Sequence, residues 1–135
     1  MLLAIALSSA FITLEPAKSQ EKIEVTPLIQ SSSGFGGKKS HIQDRNKLKL
    51  RLLKVNIPVG LKTPIRIHPT PMLVYIRQGK LKHSRGETIN YFSAWESFIE
   101  SNIGSSHFVE SVGKKSAVLF VGVSFAIVLP TTINK

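Results

Sequence analysis

Apolar and polar residues alternate with a period of two along most of the chain beyond residue 20. In Leu48–Ile57, leucine alternates with lysine and arginine as far as Leu52, and the apolar phase then passes to Leu53, Val55 and Ile57. A period of two places successive side chains on opposite faces of a strand, whereas a helix needs a period of 3.6. The pattern predicts a half-buried strand with its cations towards solvent and a bulge where the phase changes.

Turn signals recur along the rest of the chain and separate further short strands. Turns are predicted at residues 58–60, 78–80, 85–87 and 112–115, and strands at 21–29, 65–68, 72–77, 88–92, 97–100, 107–109 and 117–129. The last run has 13 apolar-rich residues, which is too short for a bilayer, and its valines and phenylalanines favour a buried strand. Many short strands without a helical segment predict an all-β sandwich or barrel.

The beginning of the chain has a different character. Leu2–Leu14 is apolar and uncharged, and the triplet Ala17-Lys18-Ser19 has small residues at its first and third positions. This arrangement predicts a signal peptide over residues 1–19 and one exported domain over residues 20–135, in the periplasm or outside the cell. No lysine or arginine precedes the apolar run, so an uncleaved N-terminal anchor stays open as the alternative.

Composition narrows the chemistry that the chain can perform. Its 135 residues suit one domain, and the hydrophobic content of 42% with 19% charged residues is typical of a globular protein. The absence of cysteine excludes thiol catalysis and thiolate metal sites. A metal ion, if one is bound, would therefore need histidine and carboxylate ligands.

The formal charge is +10, and it is unevenly distributed. Most cations lie between Lys38 and Arg85, where Asp44 is the only acidic residue. Such a field attracts anionic surfaces, so peripheral contact with phospholipid head groups stays open beside a simple solvated basic face. Aromatic residues do not alternate with these cations as base stacking would require, and no nucleic-acid partner is predicted.

Four histidines are candidates for polar chemistry. His41 lies in the polar N-terminal part and His83 in a basic turn, and both are expected to be exposed and without a role. His68 and His107 each lie beside a predicted strand and are far apart in sequence. A barrel can bring such positions together, and two imidazoles facing its interior would be suitable metal ligands.

Two spaced motifs resemble those of the cupin family. The first is Gly60, five residues, Arg66-Ile67-His68, three residues, Met72, six residues and Gly79; the second runs from Trp95-Glu96 through Gly104 and His107 to Ser111. The likeness covers roughly residues 21–132, and the chain resembles a small single-domain exported cupin. The resemblance implies a jelly-roll antiparallel β-barrel with a divalent metal held by three histidines and one glutamate.

The chain departs from the cupin pattern at two of these four ligand positions. His68 and His107 match two of the histidines, while Arg66 replaces the third and Met72 replaces the acid. A guanidinium cannot ligate a cation, and a thioether suits copper(I) better than iron, manganese or zinc. The predicted ligand pocket is therefore Arg66, His68, Met72 and His107, with His68 and His107 as the remaining metal ligands. Trp95 also replaces a turn glycine, where a positive φ would strain it.

Four functional hypotheses follow from these residues. The first is a metal-free barrel that binds a small anion through Arg66. The second is a residual oxygenase-like or isomerase-like enzyme that depends on a weakly bound divalent metal. The third is a basic binder of anionic surfaces, and the fourth is a barrel without retained activity. A homodimer is implied by the family alone, and the sequence leaves open whether the protein is an enzyme.

Overall fold

A computed structural model describes residues 21–31, 33, 48–100, 105–126 and 132–135. These residues form ten strands and no helix, and none of them could therefore cross a membrane as a helix. The predicted signal peptide, His41 and most of the preceding Ser/Gly loop lie outside the described residues. The strands are β1 (Glu24–Ser31), β2 (Leu48–Ile57), β3 (Arg66–Ile67), β4 (Met72–Gln78), β5 (Lys80–Arg85), β6 (Thr88–Ser93), β7 (Ser97–Glu100), β8 (Phe108–Ser111), β9 (Ala117–Ala126) and β10 (Ile133–Asn134).

The described strands form three antiparallel sheets. The largest has the order β1-β2-β9-β4-β7, the second β6-β5-β8, and a two-stranded pair joins β10 to β3. Strand β9 lies between β2 and β4, which is why the most apolar run of the chain is found there. Sequence neighbours β4 and β5 belong to different sheets, so the turn at Gly79 connects the two large sheets.

One hydrophobic core is shared by the two large sheets. Alternate residues of β4 and β9 contribute to it, as do residues of β2, β5 and β8. Ile57, Ile76 and Leu81 are completely buried, and burial of side chains of this size contributes about 1.5–3 kcal/mol each. The period-two pattern of β4 is thereby explained, since Met72 and Val74 point into the core while Leu73 faces outward.

The predicted orientation of the start of β2 is wrong. Leu50 and Leu52 are 50% and 37% exposed, whereas Lys49 and Arg51 are half-buried. The predicted bulge in β2 is also wrong, because its register with β9 is continuous from Leu48 to Ile57. Leu53, Val55 and Ile57 fill the core, and an unbroken strand must then place the even-numbered leucines on its outer face. The irregularity lies in the partner strand β1, between Pro27 and Ile29.

Three of the predicted turns contain a glycine with a left-handed backbone conformation. Gly60, Gly79 and Gly86 all have positive φ. At Gly79 a Cβ atom would lie 2.7 Å from the carbonyl oxygen of Ser116, so a side chain there would force the turn apart. Trp95 has φ of 76° and is the one non-glycine residue with positive φ among those described, an arrangement that costs about 1 kcal/mol or more.

Candidate functional site

A cavity of about 100 Å³ lies inside the barrel, between the two large sheets. Most of its wall is made of aliphatic and aromatic side chains from β2, β4, β5, β7, β8 and β9. The polar side chains are grouped together, and they are Arg66, His68, His83, Glu100, His107 and Thr132. A small number of convergent polar groups in an apolar cavity is typical of a ligand site.

The backbone positions Arg66 beside His107. The two residues form an antiparallel bridge in which each amide donates to the other's carbonyl oxygen at 3.0 Å. His68 follows two residues later, and its ring centroid lies 4.9 Å from that of His107. Its Nδ1 is 3.2 Å from the hydroxyl of Thr132. The four residues predicted for the ligand pocket, Arg66, His68, Met72 and His107, thus all line this one cavity.

The prediction that His83 is exposed in a turn is wrong. His83 lies within strand β5, is 5% exposed and lines the cavity. Its ring stacks on that of His107 with the centroids 5.1 Å apart and contacts the edge of Phe98. The alternation from Leu81 to His83 carried the signal for an inward-facing position, but the surrounding lysines and arginine gave the segment the composition of a turn.

Glu100 is a site residue that sequence reasoning did not find. It ends strand β7, is 6% exposed and accepts a hydrogen bond from His83 Nε2 at 2.6 Å through Oε2. Its other oxygen, Oε1, accepts from the guanidinium of Arg85. The strand Ser97–Glu100 was predicted correctly, so alternation from Phe98 would have indicated that Glu100 points inward.

Arg66 carries a positive charge that has no counter-charge within the described part of the chain. Its guanidinium is largely buried, burial lowers its pKa, and the buried Nε has no hydrogen-bond partner there. An arginine side chain remains charged at neutral pH even so. A buried charge of this kind is costly unless a partner supplies both the opposite charge and hydrogen bonds.

Two of the neighbouring histidines are neutral at pH 7. Burial, followed by the proximity of His68 and Arg66, lowers the pKa of His107 to about 4. The pKa of His83 is also lowered, by burial and by the charge of Arg85. Glu100 is the one carboxylate among the described residues that line the cavity, and it pairs with Arg85, so the charge of Arg66 remains uncompensated there.

A divalent metal could find suitable donor atoms in the same cavity. The ligand atoms of His83, Glu100 and His107 lie within 4.8 Å of one another, and two imidazoles with one carboxylate are a common set for divalent transition metals. However, the 2.6 Å hydrogen bond between His83 and Glu100 occupies two of those donors, and Arg85 occupies the other carboxylate oxygen. The nearby charge of Arg66 further opposes a cation, so the donor types fit a metal and their present arrangement does not.

Comparison with known proteins finds similar structures but no similar sequence. No protein-family model and no curated protein sequence matches the chain. The structure is similar to the cupin domain of Cnp3 from Schizosaccharomyces pombe, with a TM-score of 0.57 and 17% identity over 79% of this chain and 66% of that one. It is also similar to an uncharacterised conserved protein with a double-stranded β-helix domain from Klebsiella pneumoniae, with a TM-score of 0.61 and 11% identity over 87% of each chain.

A third similar structure is an enzyme. DMSP lyase DddQ from Ruegeria pomeroyi has a TM-score of 0.60 and 15% identity, over 90% of this chain and 56% of the lyase. Identities this low establish the fold and carry no activity with them. The all-β cupin barrel predicted from the sequence is thus confirmed, and this chain has the fold of the cupin, or double-stranded β-helix, domains.

Proposed function

We propose that the barrel binds a small anion, in the first instance a carboxylate, in its interior cavity, with Arg66 as the main contact. The observation that supports this proposal is the uncompensated guanidinium of Arg66 inside a largely apolar cavity. An unpaired buried charge costs several kcal/mol. A bound carboxylate would supply the missing charge and, with a planar guanidinium, two parallel hydrogen bonds.

The other polar residues fit the same role. His107 forms the backbone bridge with Arg66, the His68 ring lies beside that of His107, and both imidazoles can form hydrogen bonds to a ligand oxygen. Glu100 already accepts hydrogen bonds from Arg85 and His83. It therefore does not compete with a ligand carboxylate for the guanidinium of Arg66. Glu100 is thereby paired with Arg85, while Arg66 is left for the ligand.

The proposal is tested by comparing wild type with Arg66→Met and Lys54→Met in a titration with acetate, butyrate and phosphate. Lys54 is exposed on β2, and its substitution removes the same charge away from the cavity. Amide chemical shifts of the chelator-treated protein report on binding. We expect saturable shifts for at least one anion in wild type and Lys54→Met, and none in Arg66→Met. Absence of binding in wild type, or equal binding in Arg66→Met, would refute the proposal.

A second candidate function is a metal-dependent barrel, and the clustering of His83, Glu100 and His107 favours it. These three residues would hold a divalent metal only if the hydrogen bond between His83 and Glu100 opened, and the metal would then supply a Lewis acid towards a bound carbonyl or carboxylate. Zinc, iron(II) and manganese(II) content after incubation and desalting tests this candidate. About one equivalent of metal, lost in His83→Ala/His107→Ala and retained in His41→Ala, would support it. No retained metal in wild type would end it.

We also propose that the protein is exported to the periplasm or beyond, that it contacts anionic surfaces and that it forms a homodimer. These proposals rest on the N-terminal apolar run, on the excess of basic residues and on the cupin resemblance respectively. None of them is required for the cavity to bind an anion.

A further inference from the structure

We infer that the ligand is a monocarboxylate with a short, unsubstituted apolar body, and this inference rests on the proposed function. Three independent properties of the cavity define that class: the number of uncompensated charges, the composition of the wall, and the volume. Each excludes a different group of anions that would otherwise satisfy Arg66.

The charge balance of the cavity favours a ligand with a single negative charge. Among the described residues that line the cavity, Arg66 is the one cation without a carboxylate partner, because Glu100 accepts hydrogen bonds from both Arg85 and His83. A dicarboxylate or a doubly ionised phosphate would bring a second negative charge into the same low-dielectric space. The described lining of the cavity contains no further arginine or lysine that could balance this second charge.

The wall of the cavity selects an apolar body. Away from the polar group, the lining side chains are all apolar, and they include Leu53, Val55, Leu81, Phe98, Leu119 and Val121. None of these can donate or accept a hydrogen bond, so a hydroxyl or amide on the ligand body would be buried without a partner. Sugars, hydroxy acids with a terminal hydroxyl, and amino acids are therefore disfavoured.

The volume selects a short ligand. A water molecule needs about 10–15 Å³ on this measure, so a cavity of about 100 Å³ accommodates roughly seven to ten non-hydrogen atoms. Pentanoate and hexanoate fall at the lower end of this range. Nucleotides and long-chain fatty acids are much larger than a cavity of this volume.

Calorimetric titration of chelator-treated protein at pH 7 with two matched ligand pairs tests the inference. Pentanoate and 4-hydroxybutyrate have the same number of non-hydrogen atoms and differ by a methyl against a hydroxyl. Hexanoate and succinate have the same number and differ by a second carboxylate. We expect the first member of each pair to bind at least about tenfold more tightly. From acetate to pentanoate, affinity should rise about fourfold for each added CH₂ group.

The Val121→Thr variant places one hydroxyl in the wall at nearly constant volume. It should weaken pentanoate binding by a larger factor than acetate binding, and the ligand pairs remain decisive if the variant does not fold. Tighter binding of succinate or phosphate than of hexanoate would overturn the inference and leave the proposed function standing. Affinity independent of chain length would do the same. Failure of every anion to bind would instead refute the proposed function itself.

Discussion

Replacing Arg66 by methionine should stabilise the ligand-free protein, although the residue lines the interior of the barrel. The guanidinium is largely buried, its Nε has no described partner, and no described carboxylate pairs with it. Methionine retains a side chain of similar length and reach, so the contacts of the aliphatic stem are kept while the charge is removed. The gain is the desolvation penalty of the unpaired charge, reduced by the solvent that still reaches part of the group.

The expected increase in the free energy of unfolding is about 1–3 kcal/mol. Urea unfolding at pH 7 in a buffer without carboxylate or phosphate measures it. With a denaturant slope of about 2 kcal/mol per molar, the midpoint should rise by about 0.5–1.5 M while the slope stays unchanged. Lys54→Met removes the same charge from an exposed position and should change the free energy of unfolding by no more than about 0.5 kcal/mol.

The opposite result would contradict the inference that the charge of Arg66 is uncompensated in the ligand-free protein. If Arg66→Met lowers the free energy of unfolding by more than about 1 kcal/mol, the guanidinium must be well paired in the ligand-free protein, and no ligand is needed to compensate it. Saturating butyrate provides an internal check, because ligand at 100 times its Kd should stabilise wild type by about 2.7 kcal/mol. The same addition should leave Arg66→Met unchanged.

Three further predictions concern the polar group and the N-terminus. Because the pKa of His107 is lowered to about 4, the unfolded chain binds a proton at this residue before the folded chain does as the pH falls. The free energy of unfolding should therefore drop by about 2.5 kcal/mol between pH 6.5 and pH 4. Urea titrations of metal-free wild type and His107→Asn measure this drop, and an equal drop in both would contradict the prediction. Glu100→Gln should destabilise the fold by about 3 kcal/mol because it leaves Arg85 and His83 without their carboxylate. As a control, Glu110→Gln removes the half-exposed ion pair with Lys82 and should cost less than about 1 kcal/mol. Similar losses of stability in the two variants would contradict the role given to Glu100. N-terminal sequencing of protein recovered from the exported fraction should begin at Gln20, and an intact Met1 there would favour the uncleaved anchor.

The sequence predicted the strands more reliably than the faces of the strands. Alternation and turn residues were sufficient for β4 and for β7, which was predicted over the residues that form it. They failed at the start of β2, where Leu50 and Leu52 are exposed. Alternation defines two faces, but only the packing of the second sheet decides which face is covered, and that packing depends on contacts distant in sequence.

The candidate site was predicted in part for a similar reason. Arg66, His68 and His107 were singled out by their place in a spaced motif, and all three line the cavity, although their roles remain predictions. His83 and Glu100 belong to no such motif and meet only because strands β5 and β7 come from different sheets of the barrel. A single sequence does not show which residues of distant strands lie in contact. The basic residues around His83 instead favoured a solvent-exposed position.

The stoichiometry of butyrate binding to the chelator-treated protein, measured by calorimetry, decides whether the barrel binds an anion through Arg66. Occupation of the cavity through Arg66 predicts one equivalent of butyrate in wild type and in Lys54→Met, and no binding in Arg66→Met. A wild-type protein that binds no butyrate, or an Arg66→Met variant that binds it as wild type does, would contradict the claim that the barrel is an anion-binding protein.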